Sequence, residues 1–478
     1  MDLRKVKPYS EDLYAINKYK NANQLEDTIA EEDFYNEQEM YEASEEILED
    51  KIRSNNEIMM KERQELAYKY MTEGRNVFLT GDAGTGKSYV VSKFIEWCNK
   101  NEKNVLITAP TGIAALNIDG STLHRVFRAP IGPLVQPIKS VSSLLKDADV
   151  VIIDEISMCR IDLFEYVIKQ IMSLNIMRRK KNILKDIQIV LSGDFFQLPP
   201  VIIDSEREVL NRYFGRDIGY GYAFQSELWD GCNFISIVLD EVVRQRDEAF
   251  MLSLNKARLG DKSCISYFQN YSSRNEIKDA ILLCGTNKKA KEKNTYELGL
   301  IPSKSKIFQS KITGEVKDSD KVTEDSLELK VGARVMTLVN DKEDNYKNGS
   351  FGTIKAFNSS ENTITVLIDS GVTVDIEKYT WEIKGYDVDE HNKLKQKTIG
   401  TFTQFPLKLA YAITIHKSQG QTYDKVNVNP YCWDYGQLYV ALSRCTNIET
   451  MHLTQYIKPD FLKASPEVIK FYKSLLNK

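Results

Sequence analysis

The stretch GDAGTGKS, Gly81 to Ser88, fits the spacing G-x-x-x-x-G-K-[ST] and falls between an apolar run and a helical one. That pattern suits one task, holding a chain of phosphates. The backbone of Gly81, Ala83, Gly84, Thr85 and Gly86 can curl its N–H groups around phosphate oxygens, and the following helix adds the positive end of its dipole. Lys87 then bridges the β- and γ-phosphates, and the Ser88 hydroxyl ligates Mg²⁺. Asp154 and Glu155 close the apolar run DVVIIDE, where open α/β sheets bind ligands. The first carboxylate suits Mg²⁺ and the second suits the attacking water. A third run, IVLSGDFFQLPPV, ends with Gln197 on a loop stiffened by Pro199 and Pro200. An amide there either donates to a γ-phosphate or holds the water, and a stiff loop converts gain or loss of that phosphate into displacement.

A phosphate loop alone does not choose a substrate. Guanine recognition would want Asn-Lys-x-Asp, but Asn287-Lys288-Lys289 is followed by Ala290. The discriminating residues must lie elsewhere in the chain.

Those residues need a scaffold. Short apolar runs at 76–80, 104–109, 149–154, 187–192 and 235–240 each lie near a helical stretch or polar loop. Continuous apolar runs suit strands buried on both faces, and alternation with helices argues for a doubly wound parallel sheet. After the phosphate loop, Val90, Val91, Phe94, Ile95 and Cys98 share one helical face. A second series, AILLCGT, KVNVNP and MHLTQ, brackets a turn-rich block at about 300–405. Within that block Ile364, Val366 and Ile368 precede a turn at Gly371, and Val372, Val374 and Ile376 return in alternation as a hairpin.

The chain of 478 residues is 42% hydrophobic and 28% charged, enough to bury real cores and stay soluble. No run reaches membrane-span length, and the N-terminal sequence has no apolar signal core, so no membrane association is expected. Seven scattered cysteines without a Cys-x-x-Cys pair argue for reduced thiols in a cytoplasmic compartment, and against zinc. The net charge of −4 conceals an asymmetry. Residues 1–50 carry 5 Lys/Arg against 15 Asp/Glu, and the remainder 59 against 53. The acidic arm reads as a solvated tail, a docking segment for replication or repair proteins, or an internal mimic of nucleic acid.

With these motifs together, the chain resembles the petite-integration-frequency (Pif-type) DNA helicases of superfamily 1B, and more distantly RecD-like proteins. GDFFQLPPV after DEISM carries the resemblance. TAPTGIAALNI with GSTLHRVF is similar to the strand-contacting motifs Ia and Ib, VVRQRDEAF…ARLG to motif IV, TIHKSQGQT to motif V, and YVALSRCT to motif VI. The likeness covers about residues 56–478 and omits the acidic arm. One departure is NIMRRKKNILK before DIQIVLSGDFF, which lacks the family's Pro-Phe-Gly-Gly run; its Arg178–Lys181 reads as a solvated basic face.

The resemblance implies an α/β fold with two RecA-like P-loop NTPase domains. The first spans 56–240 with a wedge insertion at about 128–147. The second spans 241–300 and 406–478, interrupted by a small Src-homology-3-like β-barrel at 301–405; an acidic arm precedes them at 1–55. It implies that Gln64 reads adenine, that Gly420 joins the nucleotide site, and that Arg244 and Arg444 reach the γ-phosphate from the second domain. It places Pro110, Thr111, Thr122, His124, His416 and Ser418 along a single strand. Phe127 either stacks on a base or belongs to a core. ATP and Mg²⁺ are the implied cofactors, and single-stranded, forked or tailed duplex DNA the implied substrate, with folded G-quadruplex DNA a further candidate. Movement from 5′ to 3′ comes from the resemblance alone. A translocase subunit of a repair complex and an ATPase that strips partners without unwinding are the rival readings. The Lys/Asn/Ile-rich style fits a bacterial or phage source.

Overall fold

Alternate residues of the apolar runs face opposite sides of one parallel sheet. Phe78, Val151, Ile153 and Leu191 enter one core cluster, and Val77, Leu79, Val150, Ile152 and Val190 the other. This two-sided burial is why the runs are continuous rather than alternating. The computed structural model describes residues 57–476 apart from 131, 137, 139–140, 182–184, 240–246, 344, 347, 359, 361 and 389–393. The acidic arm, Arg244 and part of the expected wedge therefore lie outside the described residues.

The sheet comprises β1 (Val77–Gly81), β2 (Val105–Ala109), β3 (Ser121–Thr122), β4 (Val150–Ile153), β5 (Gln188–Ser192) and β6 (Ile235–Leu239). Their order is β3-β2-β4-β5-β1-β6, and every pairing is parallel. β4, β5 and β1 are thus neighbours, which brings Asp154-Glu155, the Gln197 loop and the phosphate loop to one edge. The helices Glu57–Thr72 and Lys87–Lys100 cover one face, burying Ala67, Met71, Val90, Val91, Phe94 and Cys98. The helix Ile161–Lys181 covers the other face. It is joined there by Pro466–Leu476 from the far end of the described chain, with Phe471 stacked on Phe224 at 4.1 Å.

A second parallel sheet follows, of β7 (Ile281–Cys284), β18 (Ala412–Thr414), β19 (Val426–Val428) and β20 (Met451–Leu453), in the order β18-β7-β19-β20. Its core includes Phe250, Leu254 and Ala257 of the helix Glu248–Leu259, and also Ala83 and Leu198 from the first lobe. The two lobes therefore share a boundary at the phosphate loop.

Between β7 and β18, after the helix Asn287–Leu300, every strand pairing among the described residues is antiparallel. The sheet β14-β13-β12-β11-β17 runs through Thr373–Ile376, Thr363–Ile368, Phe351–Asn358, Arg334–Thr337 and Leu407–Leu409. The expected hairpin is present, with Ile364 opposite Ile376 and Val366 opposite Val374. Val372 is exposed, because it occupies the turn rather than the core face. Two strands, Ser326–Lys330 and Ser305–Gln309, pair separately as β10-β8. A ribbon of Tyr379–Val388 and Leu394–Gln404 (β15 and β16) pairs along its length and adds β9 (Lys311–Gly314) at its edge. Arg125 of the first lobe ties to Asp320 of this unit at 2.9 Å.

One expectation fails here. Arg178 is not on a solvated face but 6% exposed. Its guanidinium donates to the carbonyls of Leu145, Lys146 and Ala148 at 3.1, 2.7 and 2.9 Å. It satisfies carbonyls at the end of the short turn Ser143–Lys146, which would otherwise be orphaned. Arg179 and Lys180 are exposed as expected.

Candidate functional site

Gly81 ends β1 at φ +148, and a Cβ there would sit 2.1 Å from the Leu239 carbonyl oxygen of β6. The chain therefore needs glycine at the point where it leaves the sheet. Gly84 and Gly86 have φ near +85, and Gly86 caps the helix Lys87–Lys100. The Thr85 hydroxyl donates to the Asp82 carbonyl at 2.9 Å, and Tyr439 of the second lobe accepts from the Ala83 N–H at 3.0 Å. Lys87 Nζ donates to the carbonyls of Gly81 and Asp82, both at 2.9 Å, and burial pulls its pKa below the ordinary value. Gln64 lies across the loop, its Nε2 donating to the Thr85 carbonyl at 3.1 Å.

These groups open onto a cavity of about 330 Å³ lined by Ala83, Gly84, Gly86, Lys87, Ser88, Glu155, Gln197, Gly420 and Arg444. Both lobes contribute walls. Asp154 follows β4 directly and is 8% exposed, and burial raises its pKa. Glu155 takes a left-handed φ of 51°; burial and the neighbouring Asp154 push its carboxyl up to about 7. A left-handed conformation at a residue with a Cβ is strained, and such strain concentrates at functional sites. Gln197 is 7% exposed, its N–H bonded to the Asp194 carbonyl at 2.9 Å. From the second lobe, Gln419 Nε2 donates to Glu155 Oε2 at 3.0 Å and approaches Gln197 Oε1 at 3.4 Å.

Arg444 is 2% exposed, with Nε on the Val440 carbonyl and one terminal nitrogen on the Ser418 and Gln421 carbonyls at 3.3 and 3.1 Å. Beneath the loop, Arg258 pairs with both Asp82, at 3.2 Å, and Asp194, at 2.8 and 3.1 Å. Its guanidinium also lies 4.2 Å from the Phe196 ring centroid.

The PIF1-like helicase family model matches residues 58–260. Over 440 residues the chain is 32% identical to the ATP-dependent DNA helicase Pif1 of Campylobacter jejuni, covering 83% of this chain and 94% of that one. The chain belongs to the PIF1-like helicases. Its structure is similar to that of Bacteroides sp Pif1 in complex with ADP-AlF4, at a TM-score of 0.74 and 32% identity, over 86% of this chain and 96% of that one. Against Bacteroides Pif1 bound to ssDNA the TM-score is 0.61, at 32% identity over 87% and 96% of the two chains.

For this PIF1-like helicase the structure sorts the other expected residues. Pro110 and Thr111 follow β2, and the Thr111 hydroxyl accepts from the Ala114 N–H at 3.3 Å. Thr122 caps the short helix Leu123–Val126 through the Arg125 N–H. His124 and His416 are half-buried, and burial holds both below the ordinary histidine pKa. Phe127 is fully buried in the first lobe's core, which decides for the core alternative. Ser418 is also fully buried, its hydroxyl donating to the Ile415 carbonyl at 2.8 Å.

Sequence reasoning did not single out Arg258 or Gln419, although both stand in quoted motifs. It also missed a cavity of about 920 Å³ between the lobes and the antiparallel unit. Lys321, Lys408, Lys417, Tyr379 and Trp381 line it, together with Asp119, Asp318, Glu324, Asp325 and Glu382. Burial, and then the charge of Lys417, push Lys408 down to about 8. The alternating aromatics of YTWEIKGY were the available signal.

Proposed function

We propose that this PIF1-like helicase couples ATP hydrolysis to 5′-to-3′ movement along single-stranded DNA and opens tailed or forked duplexes. The observation that carries the reading is the nucleotide cavity walled by both lobes, with Lys87, Glu155 and Gln197 on one side and Gly420 and Arg444 on the other. A γ-phosphate held there is sensed by both lobes at once, so binding and hydrolysis alter how they meet. Lys87 and Arg444 stabilise charge developing on that phosphate, while Glu155 and Gln197 orient the water. Arg244, by family position, adds a second guanidinium. The exposed Ser88 hydroxyl and the buried Asp154 carboxylate are oxygen donors of the kind Mg²⁺ takes beside substrate phosphates. Bound there, Mg²⁺ supplies charge neutralisation between the phosphates.

The strand runs past Pro110, Thr111, Thr122, His124 and His416 and through the larger cavity, where lysines and aromatics can hold phosphates and stack bases without reading sequence. In this reading the two parallel sheets are RecA-like motor domains at 56–240 and at 241–300 with 406–478. The antiparallel unit at 301–405 is a Src-homology-3-like barrel, and the stretch at about 128–147 is the wedge. The acidic arm at 1–55 screens the strand track or docks partners. Strand displacement on duplexes with either a 5′ or a 3′ tail, with and without ATP, tests the proposal. Opening only of the 5′-tailed substrate with ATP supports it; equal opening of both, or of neither, overturns it.

A further inference from the structure

The role inferred for Gln419 rests on the two-lobe reading of the nucleotide cavity. Gln419 comes directly after the turn His416–Ser418 in the second lobe, yet its amide reaches the first lobe's two candidate water-handling groups. One nitrogen serves both: Nε2 lies 3.0 Å from Glu155 Oε2 and 3.4 Å from Gln197 Oε1. The side chain is 8% exposed, and its Oε1 makes no hydrogen bond among the described residues. The Arg444 guanidinium holds the carbonyls of Ser418 and Gln421, which flank Gln419 on either side. Gln419 and Arg444 are thus braced together and approach the cavity as one piece of the second lobe.

We propose that Gln419 is a positioning residue for hydrolysis, supplied across the lobe boundary. It fixes the Glu155 carboxylate and the Gln197 amide relative to each other, so that the pair is aligned only when the second lobe is seated. Lobe separation then disables hydrolysis while Lys87 keeps its contacts with the Gly81 and Asp82 carbonyls, even as the loop gives up the Tyr439 hydroxyl at the Ala83 N–H and Arg258 at Asp82. A nucleotide can remain bound while the lobes are apart, and turnover waits for them to meet. The amide is suited to this: as a neutral group it offers a donor and an acceptor, and it leaves the charge balance around the γ-phosphate untouched.

The test uses the full chain with Gln419→Met, which keeps side-chain length and removes the amide, and Gln419→Asn, which keeps the amide but withdraws it. ATP hydrolysis is measured with saturating oligo-dT, and nucleotide affinity with a fluorescent non-hydrolysable ATP analogue. Misplacement of reacting groups by about 1 Å costs on the order of 10²-fold, so both variants should lose about that much DNA-stimulated kcat while nucleotide affinity stays within about twofold. Groups acting as a unit are non-additive, so Gln197→Ala combined with Gln419→Met should fall within about threefold of Gln197→Ala alone. A kcat loss under about threefold, a matching loss of nucleotide affinity, or multiplicative effects in the double variant would overturn the proposal. So would failure of both Gln419 variants to fold, which would make the residue part of the core. Absence of DNA-stimulated hydrolysis in the wild-type chain would instead overturn the two-lobe motor reading itself.

Discussion

Arg258 offers the sharpest energetic test of how the lobes are joined. It is 6% exposed, belongs to the second lobe's helix Glu248–Leu259, and neutralises two first-lobe carboxylates, Asp82 and Asp194, each at most 2% exposed. Replacing it with alanine leaves two buried carboxylates without their cation, and breaking such a buried pair costs about 3–5 kcal/mol. Loss of the contact with Phe196 adds up to about 2 kcal/mol for a desolvated cation–π pair. A unit of 150–250 residues shifts its melting temperature by about 2–4 °C per kcal/mol, so Arg258→Ala should lower the first transition by roughly 6–28 °C in differential scanning calorimetry. Removing the charges along with the cation, as Arg258→Met with Asp82→Asn and Asp194→Asn, should restore more than half of that, since no unpaired charge remains. A shift below about 2 °C for Arg258→Ala, or a triple variant less stable than the single one, would show that the cluster does not hold the lobes as described.

The same geometry sets other outcomes. Lys87→Ala should abolish ATP hydrolysis in a phosphate-release assay, since among the described residues no other lysine lines the smaller cavity. Gln197→Ala should reduce DNA-stimulated kcat by about 10²-fold with little change in nucleotide affinity, and equal loss of affinity would make it a binding residue. Arg444→Ala should cost about 10³–10⁵ in kcat if it stabilises transferred charge, with Arg444→Lys failing to rescue because one ammonium cannot replace the guanidinium's carbonyl contacts. Tyr379→Ala should weaken oligo-dT binding by about 1–3 kcal/mol, and Lys417→Ala should lower the salt dependence by about one counterion, read from fluorescence anisotropy across salt concentrations.

The five longer strands of the first sheet were legible because each is buried on both faces, which writes a run of Val, Ile and Leu directly into the chain. β3 escaped notice because Ser121–Thr122 is too short to carry a pattern, and β18, Ala412–Thr414, was passed over although it is no shorter than β19 and β20. The phosphate loop, Asp154 and Glu155 were readable from local spacing, since their neighbours in sequence are their neighbours in space. Arg258 and Gln419 were not, because their partners lie 64 and 264 residues away. Family position placed Ser418 along the strand and left Phe127 open between a base and a core, but position in a motif says nothing about burial, and both side chains are fully enclosed. Arg178 misled for a related reason: a basic cluster reads as solvated until the carbonyls it caps are known.

The helix Pro466–Leu476 sets a timetable for biosynthesis. Its Tyr472 hydroxyl bonds to Thr80, 392 residues earlier, and Phe471 closes the aromatic cluster around Phe78 and Trp229. At about 5–20 residues per second, a ribosome needs roughly 20–80 s to cover that distance. During that interval the nascent first lobe exposes the seat for this helix as bare aromatic surface, an obvious docking place for chaperones.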